Sequence, residues 1–440
     1  MTTVLSRSLV ALALLGPTAA AAGAQETPQA FRGATLIAIG GDSIPDGVLV
    51  IHRGRITAVG AADRVSIPDG ARVHDVTGKV ILPGLVDTHS HIGGGDGGDR
   101  SAALHPEVRI LDAIDPRHDR IRTARAGGVT TANVMPGSGH LMSGQTAYLK
   151  LRDGNTIDDL LFCDDVLTGI CGGMKMANGT NSMRAPPSPG TRAKSAALVR
   201  AKYVAAQEYR RKLRAWEEDD TNERPKRDLD MEALVEVLDG RRIVHHHTHR
   251  HDDILTVLRL AEEFGFRVVL HHVSEGWKVA DEIAAAGVPA SIIVIDSPGG
   301  KLEAVDLSFE TGAILERAGA KVAFHTDDGI TDSRLFLRSA GLAVRYGMSR
   351  AAALRGLTLS GAEMLGLEDR VGSLEAGKDA DFIVLSGDPL SVYTRVEQTW
   401  IDGVNVFDFA DPDDRAYAVG GYEVTDDDGW DAHRGMEGHR

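Results

Sequence analysis

The hydrophobic pattern changes twice along the chain. From Phe31 to Val80 short apolar runs such as "ATLIAI", "GVLVIHRGRITAVG" and "ARVHDVTGKVIL" are cut by Gly, Pro and Asp turns, and the same texture returns after Arg370 in "DFIVLSGDP" and "VEQTWIDGVNVFDF". Runs of this length and punctuation predict β-strands. Neither set is large enough to bury a core by itself, so the two are expected to fold together as one small β-sandwich domain, residues 25–80 with 366–410.

Between them, residues 81–365 alternate β-like runs ("GGVTTANVMPG", "RRIVHHHTH", "FRVVLHHVS", "VPASIIVID", "AKVAFHTDDG") with helical ones ("DDILTVLRLAEEFG", "GWKVADEIAAAG", "ETGAILERAG", "RLFLRSAGLAVRYG"). This alternation predicts α/β architecture with a parallel sheet, and its length suits a (β/α)8 TIM-like barrel, which typically takes about 250 residues. A doubly wound open sheet is the alternative, but no G-x-G-x-x-G stands at a strand-to-helix turn to support it. Residues 186–230 hold a long charged helix and then "EEDDTNERPKRD", a solvated excursion. The Asp- and Gly-rich segment 411–440 is expected to be an acidic flexible tail.

The first 24 residues read as a secretory signal peptide: Arg7, then "LVALALLGPTAAAA", then small residues at Ala22 and Ala24. Gly16 and Pro17 interrupt the apolar run, which argues against a membrane anchor. The mature chain is therefore expected in a periplasm or outside the cell, without a membrane span. Such a compartment permits a disulfide between the two cysteines, Cys163 and Cys171, with two buried thiols as the other reading. A net charge of −15 argues against a nucleic-acid-binding face and leaves a small molecule or short peptide as partner. Homo-oligomerisation stays open.

Candidate chemistry sits where the predicted strands end. His89 and His91 lie in "LPGLVDTHSHIGGG", one residue apart, so both point to the same side of a strand that finishes near Asp87. His247 and His249 follow "RRIVH", His271 and His272 follow "FRVVL", and Asp327 follows "AKVAFHT". In a barrel such positions converge on one mouth, and imidazoles with a carboxylate are the donors a divalent metal takes. His52, His74, His105 and His118 are read as structural. The segment 135–154, "MPGSGHLMSGQTAYLKLRDG", is expected to form a loop and hairpin near the mouth, with His140, Gln145 and Tyr148 able to meet a substrate.

The segments "LPGLVDTHSH", "GGVTTANV", "HTHRHDDI", "LHHVSEG", "HTDDG", "TLSGAEMLGLEDRVGSLEAGKDADFIVL" and "VEQTWIDGVNVFD" resemble the amidohydrolase superfamily over nearly the whole chain, and within it the imidazolonepropionase-related secreted amidohydrolases. The resemblance implies hydrolysis of an amide-like C–N bond with one or two divalent metals, zinc by donor type. It puts His89 and His91 on a first metal, His247 and His272 at the next two ligand positions, and Asp327 as both ligand and general base. His249 and Arg250 become candidate substrate contacts, and His271 a partner behind His272. Lys175, in "GGMKMANG", resembles the lysine that bridges two metals as a carbamate; unmodified, it implies a single metal. A deaminase of the same fold normally wants Glu where Arg250 stands. A non-catalytic relative would be expected to have lost ligands.

Overall fold

The computed structural model describes residues 26–421 apart from 96, 164, 166–168 and 295–300. The leader expected over 1–24 and the tail from 422 onward lie outside the described residues.

Strands from both ends of the chain hydrogen-bond into one eight-stranded sheet. Val80–Pro83 joins the two contributions, pairing antiparallel with Phe382–Leu385 and parallel with Gln29–Leu36. Ile44–His52 and Arg55–Ala61 extend the sheet beyond Gln29–Leu36, while Val396–Ile401 and Val404–Asp408 extend it beyond Phe382–Leu385. The two-residue period of a strand explains how the sheet attaches. Phe382 and Val384 join Phe31, Leu49, Ile51 and Trp400 in the sheet's own cluster, whereas Ile383 and Leu385 join the core of the body. Phe31 meets Phe382 and Trp400 edge-on, with ring centroids at 4.9 and 5.0 Å.

A buried charge cluster adds a second attachment. The side chain of Lys150 is 1% exposed; its Nζ lies 2.6 Å from Asp379 and 3.2 Å from Asp381, and also meets Asp402. Three carboxylates surround one ammonium. Arg370 closes on Asp379 from the other side at 2.9 Å.

The body carries Leu85–Ser90 paired parallel with Val129–Val134, and a run of parallel neighbours Met174–Ala177, Val244–Thr248, Val268–His272, Ala290–Ile292 and Val322–Phe324. These strands are fully buried, as expected of a parallel sheet covered on both sides. Residues 142–150 depart from the expected hairpin. Met142–Gln145 pairs antiparallel with Met174–Ala177, and Ala147–Lys150 pairs antiparallel with Val129–Val134, so the segment stitches two sheets together instead of folding back on itself. Only Thr146 separates the two pieces, too little chain to reverse direction. Gly144 lies at φ +123°, with a Cβ position only 2.5 Å from the carbonyl of Val108, so glycine alone fits this close approach. On the far side, the amide of Asp327 donates to the carbonyl of His89 at 2.9 Å, bringing the last strand of the run against the first.

The long helix spans Arg192–Glu218 with Thr191 as its N-cap, and buries Val199, Tyr203 and Ala206 at helical spacing. Tyr203 stacks on Phe264 and Phe266 at 5.1 Å. Cys163 and Cys171 form a disulfide, which resolves the two readings of the pair. Residues 412–419 correct the expectation of a flexible tail from 411 onward: they form a helix, capped by Asp411, with Pro412 at its first turn. Tyr417 holds it to the body through the Arg122 guanidinium, which lies 3.9 Å from the ring centroid. No helix among the described residues is long and apolar enough to cross a membrane.

Candidate metal centre

The strand Leu85–Ser90 delivers His89 and, one residue beyond its end, His91. Their Nε2 atoms lie 3.3 Å apart, and Asp327 Oδ1 faces both, at 3.2 Å from His89 Nε2 and 2.9 Å from His91 Nε2. His91 Nδ1 sits 2.8 Å from the carbonyl of Met135. A carbonyl only accepts, so Nδ1 carries the hydrogen and the Nε2 lone pair faces the carboxylate side. Asp87 locks the arrangement. Its Oδ1 accepts from the amides of His89 at 3.2 Å and Thr326 at 3.1 Å, and its Oδ2 from the Thr326 hydroxyl. Burial pushes the Asp87 carboxyl up to about 7, against these hydrogen bonds.

A second group adjoins the first. His247 lies within Val244–Thr248, His249 just beyond it, and His272 ends Val268–His272. One ligand atom from each of His247, His249 and His272 lies within 4.8 Å of the others, and the same holds for His89, His91 and Asp327. His272 Nε2 stands 3.9 Å from Asp327 Oδ2, so the two groups share a wall. His272 and Val273 have φ of +71° and +54°, and Asp327 has φ of +48°. Left-handed backbone at a β-branched valine is strained, and such strain concentrates at functional sites.

The donor set fits a divalent metal. Both ring nitrogens of His247 and of His272, Nε2 of His249 and Nδ1 of His89 are buried without a hydrogen-bond partner among the described residues. Leaving a buried polar atom unpaired costs about 1–3 kcal/mol, so this concentration of bare imidazole nitrogens makes physical sense around a cation. Burial also holds His89, His247, His249 and His272 well below the usual histidine range, hence neutral and able to donate lone pairs. Asp379, Asp381 and Asp402 are similarly close to one another, but the ammonium of Lys150 already stands among them.

Lys175 is part of the strand Met174–Ala177. Its Nζ lies 3.1 Å from His89 Nε2 and 3.0 Å from Met135 Sδ. Burial lowers its pKa to about 7.

The residues expected to touch substrate divide. Arg250 is at the rim, N-capping the helix His251–Phe264, with its guanidinium on Asp252 at 3.0 Å. His140 is buried with its ring against His105 at 5.7 Å, and burial brings it down to about 4. Tyr148 corrects the expectation of a substrate contact: it is buried in a cluster with Val86, Phe162 and Leu365, and its hydroxyl is 2.9 Å from His245 Nε2. His245 Nδ1 is in turn 3.0 Å from His271 Nε2, so Tyr148, His245 and His271 form a buried polar chain. His245 and Asp87 escaped the sequence reading, the first because its neighbours in "HHHTH" drew the assignment and the second because nothing marks an acceptor of backbone amides.

The chain is similar to several known proteins. The family model "Amidohydrolase family" matches residues 237–407. A solved amidohydrolase from Thermotoga maritima MSB8 is 34% identical, with a TM-score of 0.80, covering 86% of this chain and 99% of that one. Amidohydrolase tasK of Hapsidospora irregularis is 28% identical over 394 residues, which are 82% of this chain but 40% of that protein, so the chain spans well under half its length. An imidazolonepropionase of Deinococcus radiodurans is 28% identical over 391 residues, 78% of this chain and 86% of its own.

Proposed function

The chain belongs to the amidohydrolase superfamily, among its imidazolonepropionase-related members, and from that premise we propose that it hydrolyses an amide or cyclic amide, peptide-like substrates included, with Asp327 as general base. The chain's relatives place it in a metal-dependent family of hydrolases acting on C–N bonds. The observation that carries it is the position of the Asp327 carboxylate, 2.9 Å from His91 Nε2 and 3.2 Å from His89 Nε2, beside buried imidazoles with no other partner. The accompanying fold reading is a (β/α)8 barrel formed by the two body sheets, with residues 142–150 as an antiparallel stave, and a small β-sandwich domain from the two chain ends.

His89, His91, His247, His272 and Asp327 would hold the metal, zinc by its preference for imidazole and carboxylate. When bound, a divalent ion lowers the pKa of water to about 7 and polarises a carbonyl. The chain's own residues do the remaining work. Asp327 accepts the proton of the attacking water on a carboxylate oxygen and returns it to the leaving nitrogen. His91 holds its ring orientation through the Met135 carbonyl, and Asp87 holds the backbone of His89 in place. Lys175 is poised as a neutral amine near pH 7, the form that adds CO2, releasing a proton as it becomes a carbamate donor. Arg250 at the rim and His140 are the substrate contacts. Arg250 stands where a deaminase would need a carboxylate, so hydrolysis with amine release is favoured over deamination.

Location in a periplasm or outside the cell completes the proposal, supported by the Cys163–Cys171 disulfide. The functional test is a panel of N-acyl amino acids, dipeptides and cyclic ureides, scored for amine, ring-opened product and ammonia. Amine or ring opening is expected. Ammonia as the sole product would transfer the chain to the deaminases.

A further inference from the structure

We propose, on the strength of the amide-hydrolysis reading above, that the substrate carries a carboxylate received by the ammonium of Lys301, and that Glu303 is the positioning residue holding Lys301 at the metal centre.

The segment that bears both residues is tied across the rim. Glu303 lies in the chain after the strand Ala290–Ile292, yet its two carboxylate oxygens accept from the amide of Thr180 at 2.9 and 3.0 Å, and Thr180 lies after Met174–Ala177. The sheet places Val268–His272 and Val244–Thr248 between those two strands. All four run parallel, so their following segments leave from one rim, and a chain latched from the last to the first crosses the ends that carry His272 and His247. Gly179 admits the latch: at φ +71°, it leaves a Cβ position only 2.5 Å from Glu303 Oε2. Arg192 seals it, meeting Glu303 and lying 2.9 Å from Asp253. Midway, Asp306 is tacked to the turn after His272, through Lys278 at 2.6 Å and through the Trp277 indole, which donates to its carbonyl at 2.9 Å. Leu302 and Val305 turn outward, 85% and 66% exposed, so these polar ties and the buried Ala304 fix the segment rather than an apolar face.

Lys301 is the cation that this strap leaves uncommitted. Lys278 is spent on Asp306, Arg192 on Asp253 and Glu303, and Arg250 on Asp252 at 3.0 Å. The Lys301 ammonium has neither an ion pair nor a hydrogen bond among the described residues. Its charge is felt at the centre: after burial and the neighbouring imidazoles, it helps to hold His247, His249 and His272 below the usual histidine range. A free ammonium facing a site that otherwise presents neutral imidazoles favours a ligand with one negative group, and an amide substrate supplies that as a carboxylate.

The full chain, loaded with Zn2+, is assayed on N-acyl amino acids and dipeptides against their matching carboxamides, and on cyclic ureides with and without a carboxymethyl arm, scoring cleavage of the shared amide or ring bond. Wild type is expected to prefer acid over carboxamide by roughly 10–100-fold in kcat/KM, the size of one hydrogen bond to a charged group. Lys301→Met removes that preference, the loss falling on KM of the acid, and Lys301→Arg keeps most of it. Glu303→Ala lowers the preference at least about threefold, again through KM, with metal content at the wild-type level, which separates a displaced Lys301 from a damaged centre. An acid preference unchanged in Lys301→Met overturns the role of Lys301, and one unchanged in Glu303→Ala overturns that of Glu303. Equal turnover of acids and carboxamides by wild type, or turnover confined to uncharged ureides, overturns the substrate class and leaves C–N hydrolysis standing. No turnover of any member overturns the hydrolysis reading and the proposal with it.

Discussion

The backbone amide of Asp327 donates to the carbonyl of His89 at 2.9 Å, so the segment carrying the carboxylate is hydrogen-bonded to the strand carrying the imidazole. The relative placement of the two side chains is thereby set by main chain, with Asp87 bracing both segments through Thr326 and the His89 amide.

Replacing the Asp327 carboxylate should therefore change chemistry more than architecture. Asp327→Asn keeps an oxygen donor and the main-chain bond but loses the proton acceptor, so kcat is expected to fall by about 10²–10⁴ with metal content near wild type. Steady-state kinetics with metal analysis on the same preparation checks this. Activity within tenfold of wild type removes Asp327 as the base.

Tyr148 gives the opposite expectation. Tyr148→Phe removes the hydroxyl facing His245 and leaves that nitrogen unpaired, costing about 1–3 kcal/mol in urea unfolding. KM should not move, because the hydroxyl faces a histidine in the interior. A tenfold rise in KM would restore Tyr148 to the substrate.

The cluster around Lys150 predicts a pH dependence. Burial raises the Asp381 carboxyl from 3.8 to about 6, since three carboxylates crowd one ammonium and one of them keeps its proton longest. A folded-state pKa above the unfolded one means that the native chain retains a proton the unfolded chain has lost. Asp381 therefore makes stability fall as pH rises from about 4 to about 6, by up to ~3 kcal/mol. Urea midpoints across that range, compared with Asp381→Asn, measure it. Equal slopes in the two proteins place the shared proton elsewhere.

Joining Cys163 to Cys171 restricts a loop with a sequence separation of 8. The unfolded-chain entropy removed corresponds to about 2–3 kcal/mol. Cys163→Ser with Cys171→Ser should lower the unfolding free energy by that amount, read from chemical denaturation. No change would mean that the reduced loop keeps its structure when unfolded.

How much of this was legible in the sequence varied with its physical cause. His89, His91, His247, His272 and Asp327 could be placed because buried strands announce themselves by apolar runs and their C-terminal ends by a change to polar residues. The fate of 142–150 could not, because period-two alternation says a strand exists without naming its partners. The helix Pro412–Val419 buries no residue, so no apolar stripe marks it in the sequence. The left-handed backbone at His272, Val273 and Asp327 has no sequence signal, since none of the three is a glycine.

The pairing of Val80–Pro83 with Phe382–Leu385 also bears on how the molecule is made. A ribosome releases the first of these partners long before the second, and Leu85–Ser90 waits nearly as long for the segment of Asp327. Contacts of such sequence separation form late and slowly. Until residue 327 is synthesised, the early histidines have no carboxylate opposite them, and an edge strand near residue 80 lies open to unwanted neighbours.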